Sequence, residues 1–167
     1  MNTTHLLGAA ALAVVAAISI SQRPAGADLA AAAATPPTAD GHYVLVVEGD
    51  RDALDVTFAS RKPAPWAGPK KGLQTGWQLT VLDANGAELA EVPLDVRPFA
   101  TDAASKGQPD RVEGCVVVSA KIGMLVSAPR YAAAAAYRFS RTDAPGAVTV
   151  LGEVSGARVR QLSGGGR

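Results

Sequence analysis

The chain has 167 residues, and its 16 Lys and Arg residues nearly balance its 15 Asp and Glu residues, so the net charge is +1. A protein that grips nucleic acid through phosphates needs a clustered positive excess, and this balance therefore disfavours a nucleic-acid partner. The two His residues and the single Cys exclude a His-rich zinc site and an intramolecular disulfide. The length suits one domain large enough to bury a core.

The first 27 residues have the layout of a secretory signal peptide. Residues 6–20 are apolar and uncharged, and Ala25-Gly26-Ala27 provides an A-x-A cleavage site. The apolar run is shorter than the about 20 residues that a membrane span needs. We expect a signal helix, cleavage after Ala27, and a secreted or periplasmic protein. The alternative is an uncleaved N-terminal membrane anchor, because the residues before the run include His5 and no Lys or Arg.

The signal peptide is followed by an Ala- and Pro-rich segment, residues 28–40. Its only large apolar side chain is Leu29, and it cannot bury enough surface to offset the entropy of ordering. We therefore expect a disordered linker over 28–40, a β-sandwich domain over 41–162 and a disordered tail over 163–167.

Apolar residues between the linker and the tail recur mostly with a period of two, in short segments bounded by Gly, Pro, Asn and Asp. The pattern predicts strands at 43–48, 54–60, 77–82, 88–96, 111–120, 124–127, 135–141, 148–154 and 158–162. In the third strand the alternation puts Trp77, Leu79 and Val81 on a buried face. It puts Gln78 and Thr80 on a face in water, as in many antiparallel sheets.

The sequence Asp83-Ala84-Asn85-Gly86 predicts a hairpin between 77–82 and 88–94, because Asn-Gly tolerates the positive φ of a tight primed turn. Pro93 lacks an amide donor and places that end at a sheet edge or a bulge. Residues 132–136 are all Ala, and their secondary structure is left open between helix, loop and strand. Pro129 upstream favours a turn that leads into a strand. Cys115 is expected to pack as a small hydrophobic residue, with a reactive thiol or an intermolecular bridge as the alternative.

Many short strands without βαβ alternation predict an all-β fold, an antiparallel two-sheet sandwich of immunoglobulin-like kind, with a small barrel as the alternative. The segments 76–86 (GWQLTVLDANG), 136–139 (AYRF) and 150–153 (VLGE) resemble the non-catalytic immunoglobulin-like domains of secreted bacterial proteins, including those attached to extracellular peptidases. The resemblance implies a fold and a compartment. It transfers no site residue, and the Cys-Trp-Cys framework of antibody domains is absent.

An acidic turn between the first two predicted strands is a candidate calcium site. Its carboxylates are Glu48, Asp50, Asp52 and Asp55. Extracellular Ca²⁺ takes six to eight oxygen ligands, but the spacing is not that of an EF-hand. The alternative is a solvated polar turn in which Arg51 offsets part of the charge.

The loop after the second predicted strand is the candidate partner-binding surface, which we call the basic loop. It carries Arg61, Lys62, Trp66, Lys70 and Lys71 among three prolines. A Trp on a stiff exposed loop is a common interface anchor, and the basic pairs suit an anionic polymer. In the alternative interpretation, Trp66 folds back over one end of the sandwich as a plug.

No nucleophile, base or metal set stands out, so the favoured function is a secreted or periplasmic binding module without a cofactor. Its expected partner is another envelope or extracellular protein or an anionic cell-surface polymer. One alternative is a membrane-tethered structural accessory domain. The other alternative is an envelope hydrolase, which would use the carboxylates of Asp83, Glu88, Glu91 and Asp95.

Overall fold

A computed structural model describes residues 38–143 and 146–165, so the predicted signal peptide and most of the predicted linker lie outside the described residues. The described residues form strands β1 His42–Gly49, β2 Leu54–Lys62, β3 Trp77–Leu82, β4 Glu88–Pro93, β5 Arg111–Glu113, β6 Val116–Val118, β7 Ile122–Pro129, β8 Ala136–Asp143 and β9 Ala147–Ser155. A 3-10 helix covers Ala103–Ser105, and helix α1 covers Gly156–Gly164.

The strands form two main antiparallel sheets. One has the order β2-β1-β7, the other has the order β4-β3-β8-β9, and β5 and β6 pair only with each other. Alternate side chains of the main sheets point into one shared hydrophobic core. The prediction of an all-β fold with antiparallel sheets is confirmed.

Aromatic and branched side chains hold the two sheets face to face. The rings of Tyr43 in β1 and Tyr137 in β8 meet edge to face at 6.3 Å between centroids. Leu45 of β1 and Leu79 and Phe139 of the other sheet are fully buried. Burial of each such side chain contributes about 1.5–3 kcal/mol to folding, so these contacts dominate the interaction between the sheets.

The two sheets come into backbone contact where β9 passes β2. Gly152 of β9 lies against the carbonyl oxygen of Leu54, and a Cβ atom at this position would be only 2.1 Å from that oxygen. A β-bulge adds Leu151 to β9 beside this point and turns its side chain into the core. One side of the sandwich is therefore closed by backbone contact.

Helix α1 occupies residues 156–164, so the predicted strand at 158–162 is wrong, and so is the predicted start of the disordered tail at Ser163. The Ser155 hydroxyl caps the helix by accepting a hydrogen bond from the Arg158 amide at 3.1 Å. Val159 is fully buried and Leu162 packs against the core. Their spacing of three residues fits one face of a helix, and the Ser cap was the signal that could have identified it.

The predicted strand at 111–120 is instead the short hairpin of β5 and β6. Gly114 reverses the chain with φ of 64°, and Cys115 beside it is exposed. Val112 and Val117 of the two strands are exposed as well. The expectation that Cys115 packs in the core is wrong because the hairpin stands away from the core.

The hairpin of β3 and β4 forms as predicted, but with a different turn. Only Gly86 has positive φ, at 79°, and Asp83 Oδ1 accepts hydrogen bonds from the amides of Asn85 and Ala87, both at 2.8 Å. This is a type I turn followed by a left-handed Gly, not a primed turn. Thr80 of β3 is also buried and not in water, because β4 and β8 flank it on both sides.

The Ala run and the end of β4 agree with the sequence interpretation. Ala132 and Ala133 form a turn, and β8 begins at Ala136. Pro93 ends β4, which is an edge strand. At the start of the folded domain, the Asp40 carboxylate of the predicted linker lies 2.5 Å from Arg130 Nη2, so ordered structure begins before Gly41.

Candidate binding groove

The segment between β2 and β3, residues 63–76, runs across the side of the sandwich where β7 and β4 face each other. Trp66 fixes it there, because the indole Nε1 donates a hydrogen bond to the carbonyl oxygen of Ser127 in β7 at 3.1 Å. The Trp66 ring is half-buried and packs against the core. Trp66 thus anchors the segment to β7 and also covers part of the core.

A groove of about 280 Å³ lies between this segment, the end of β4 and the edge of β7. Its walls include the side chains of Leu73, Val92, Leu94, Met124, Leu125 and Val126. The Leu125 side chain is 73% exposed. Leu73, Met124 and Leu125 therefore present apolar surface to solvent at a sheet edge, which is where a polypeptide can bind, whereas the other three side chains are buried.

An apolar row on the outer face of the three-stranded sheet continues from this edge. The register places Val46 of β1 directly beside Phe58 on β2 and Leu125 on β7. Phe58 is 46% exposed. Sequence reasoning missed this row, although the period-two alternation around Leu125 put a large apolar side chain on the outward face.

The rim of the groove carries an excess of positive charge. The Asp95 carboxylate lies 2.6 Å from Arg97 Nη2 and 3.3 Å from Lys70 Nζ. Hydrogen bonds from Arg97 and Lys70 hold the pKa of the Asp95 carboxyl well below its usual range. The Asp95 carboxylate thus faces two cations. Lys71, next to Lys70, is exposed and adds a third positive charge to the rim.

The structure does not bring all the residues of the basic loop together. Arg61 and Lys62 end β2, two strands away from β7, and are exposed. Neighbouring strands are about 4.8 Å apart, so this pair lies about 10 Å from the β7 edge. Only Trp66, Lys70 and Lys71 belong to the segment that borders the groove.

The carboxylates of the candidate calcium site have separate hydrogen-bond partners. Asp50 Oδ1 accepts from the amides of Asp52 and Ala53 at 2.8 and 3.1 Å, which closes the turn between β1 and β2. The Asp52 carboxylate lies 2.5 Å from Lys106 Nζ, and this hydrogen bond lowers its pKa. Asp55 Oδ1 accepts from its neighbouring amide, that of Val56, at 2.8 Å.

Glu48 lies exposed at the end of β1, and it borders a shallow depression together with Asp50 and Lys121. Within 38–143 and 146–165, no three His, Cys, Asp or Glu side chains are gathered as a metal site would require. Side-chain hydrogen bonds thus hold the acidic turn in place, and an ion pair between Asp52 and Lys106 lies beside it.

The four carboxylates considered for hydrolase chemistry lie along one hairpin and do not converge. Asp83 and Glu88 flank the turn, whereas Asp95 lies beyond the far end of β4. Because a strand rises about 3.4 Å per residue, the six residues of β4 separate the two ends by nearly 20 Å. Glu91 lies between them and is exposed.

Comparison with protein families, with curated proteins and with solved structures found no match to this chain. In the part of the chain that the structure describes, no helix is long and apolar enough to cross a membrane. The features of the described residues that bear on function are the groove, its exposed Leu125 and the cations at its rim.

Proposed function

We propose that the chain is an interaction module of the periplasm or the extracellular space, which binds an extended acidic segment of another protein in the groove. The single observation that carries the proposal is an open apolar groove with cations at its rim. A purely anionic polymer would use the cations but not the apolar walls, so we favour a protein partner. The signal-peptide pattern of residues 1–27 supports the compartment.

We also propose kinship with immunoglobulin-like domains. The four-stranded order β4-β3-β8-β9 supports it, because in variable-type domains an added strand likewise extends the sheet formed by the third strand and the last two. The other sheet has β1 in the middle, whereas immunoglobulin domains have their second strand there. The kinship is therefore proposed for the sandwich architecture and not for the complete strand order.

The exposed cations at the rim would affect how fast and how selectively a charged partner binds. Lys70 and Arg97 are largely exposed, so their ion pairs with Asp95 add little to folding stability. Exposed charges do contribute to the rate and selectivity of encounter with an oppositely charged partner. Binding should consequently weaken as ionic strength rises, since the Debye length falls from about 10 Å at 0.1 M salt to about 3 Å at 1 M.

The test uses a synthetic peptide, acetyl-Glu-Leu-Glu-Val-Glu-Leu-Glu-amide, and its counterpart with Lys in place of Glu, both measured by calorimetry. We expect the acidic peptide to bind and the basic one not to bind. Lys70→Glu together with Lys71→Glu should weaken binding at least tenfold without changing Tm. The matched control is Arg61→Glu together with Lys62→Glu, which makes the same charge change two strands away and should weaken binding much less.

Two results would contradict the proposal. Equal loss of binding in both double variants would mean that net charge, not the groove, attracts the peptide. Binding of dextran sulfate with the acidic peptide inactive would favour the anionic polymer as the partner. The compartment is tested separately by mass spectrometry of the exported protein, which should begin at Asp28.

A further inference from the structure

We infer that the partner segment binds by strand addition, as a fourth strand hydrogen-bonded to the free edge of β7. The inference rests on the proposed function and specifies its binding mode. In the described part of the chain, β7 pairs with β1 on one side and with no strand on the other. An extended peptide that adds to such an edge gains main-chain hydrogen bonds along its length.

The direction of the backbone groups identifies the free positions. The carbonyl of Ser127 accepts a hydrogen bond from the Trp66 indole, so it points away from β1. In an antiparallel strand, the N–H and C=O of one residue point to the same side, and successive residues alternate. Leu125 and Gly123 therefore also present their N–H and C=O groups outward, towards the groove side.

The backbone groups of the even-numbered residues of β7 point the other way, towards β1. The amide of Arg130 donates to the carbonyl of Gly41 at 3.1 Å, just beyond the end of β7. The even-numbered residues of β7 thus face β1. The four outward backbone groups of Gly123 and Leu125 have no backbone partner among the described residues.

Proteins usually protect a free sheet edge by a charge, a Pro, a bulge or a covering segment. Here the covering is partial, because Trp66 occupies the carbonyl of Ser127 while Leu125 is 73% exposed. Residues 123–126, which precede the carbonyl that Trp66 occupies, span about 14 Å of edge at 3.4 Å per residue, which is room for a four-residue strand. The uncovered length is therefore long enough for a partner.

The chemistry of the surroundings specifies the occupant. Alternate side chains of an added strand would point into the groove, where the half-buried Leu73 and Met124 can contact apolar groups. At the groove, Lys70, Lys71 and Arg97 outnumber the one rim carboxylate, Asp95, whereas Lys121 before β7 lies near Glu48 and Asp50. Charge complementarity thus points to an extended segment that alternates apolar and acidic residues.

The decisive experiment compares two N-methylated forms of the acidic peptide. One form carries methyl groups on the amides of the odd-numbered residues and the other on those of the even-numbered residues, so each blocks one edge of the peptide strand. Strand addition predicts that one form binds like the parent peptide and that the other binds at least tenfold more weakly. Equal affinity of all three peptides would overturn strand addition while leaving groove binding intact.

Substitutions in β7 provide the matching test on the protein side. Gly123→Pro removes an outward N–H and should weaken binding at least tenfold. Gly123→Ala is the control, since a Cβ atom there meets no atom within 4 Å, and it should bind normally. Unchanged affinity in a folded Gly123→Pro variant would contradict the inference.

Amide hydrogen exchange on the unmodified protein remains decisive if Gly123→Pro does not fold. Strand addition predicts that saturating acidic peptide slows exchange of the Gly123 and Leu125 amides at least tenfold. Peptide binding with no slowing at either amide would overturn the binding mode. Absence of binding by every peptide would instead refute the proposed function itself.

Discussion

Replacement of Gly152 by Ala tests the closed side of the sandwich. The added Cβ would lie 2.1 Å from the Leu54 carbonyl oxygen, whereas ordinary contacts of a Cβ atom lie at 3.4–4 Å. The obstacle is backbone and not a flexible side chain, so β9 must move away from β2 by at least about 1 Å. Overpacking of this kind costs about 1–3 kcal/mol, and we expect about 3 kcal/mol because the neighbouring Leu151 is a buried core residue.

The assay is urea and thermal unfolding of the wild type, Gly152→Ala and Gly123→Ala. At about 3 kcal/mol, Gly152→Ala should lower Tm by roughly 10 °C. Gly123→Ala makes the same chemical change on β7, where a Cβ atom has open space. It should leave stability unchanged or raise it by up to about 1 kcal/mol, because Ala has less conformational freedom in the unfolded chain. Equal midpoints for the two variants would show that β9 does not pass β2 at this distance.

Three further predictions concern the turn, the core and the rim. Gly86→Val should cost about 1 kcal/mol or more in urea unfolding because φ is positive there, whereas Asn85→Val should cost less, and the reverse order would contradict the observed turn. Trp77→Ala should cost about 3–5 kcal/mol, and a cost below 1 kcal/mol would mean that its ring is not buried. Because the pKa of Asp95 is lowered in the folded state by Arg97, its stabilisation should be present above about pH 4 and be lost as pH falls further. Asp95→Asn should therefore reduce the acid dependence of the urea midpoint only slightly, since this exposed ion pair adds little to stability, and a steeper acid dependence in the variant would contradict the lowered pKa.

The strands were predictable from the sequence because one face of each main sheet is buried and the period of two is therefore visible. The segment 158–162 is too short for its pattern to reveal a helix, because the single pair Val159 and Leu162, three residues apart, is its only periodic signal. The pattern also does not distinguish one long strand from two short ones at 111–120. There the left-handed conformation of Gly114 reverses the chain, and the apolar run contributes little to the core.

The candidate site was predictable only in part. Composition singled out the loop that carries Trp66 and Lys70, because a Trp among prolines and basic pairs is typical of a contact surface. The groove was not predictable, since its walls come from β4 and β7, which are about 30 residues apart in the chain and meet only through the pairing of other strands. The separation of Arg61 from Lys70 was missed for the same reason, because a linear segment does not show which sheet edge each of its ends reaches.

The two sides of the sandwich differ in how closely the edges of the two sheets approach each other. Where β9 passes β2, Gly152 allows the sheets to approach to backbone contact, so no room is left between their edges. On the other side, no backbone contact of this kind closes the sandwich among the described residues; β4 and β7 both line the groove, and the segment 63–76 borders it with Trp66 as its anchor. A sheet edge that is spaced from its neighbour and covered only in part keeps outward hydrogen-bonding groups available. Natural sequences seldom leave such an edge free without a use for it, and the acidic segment that we propose supplies that use.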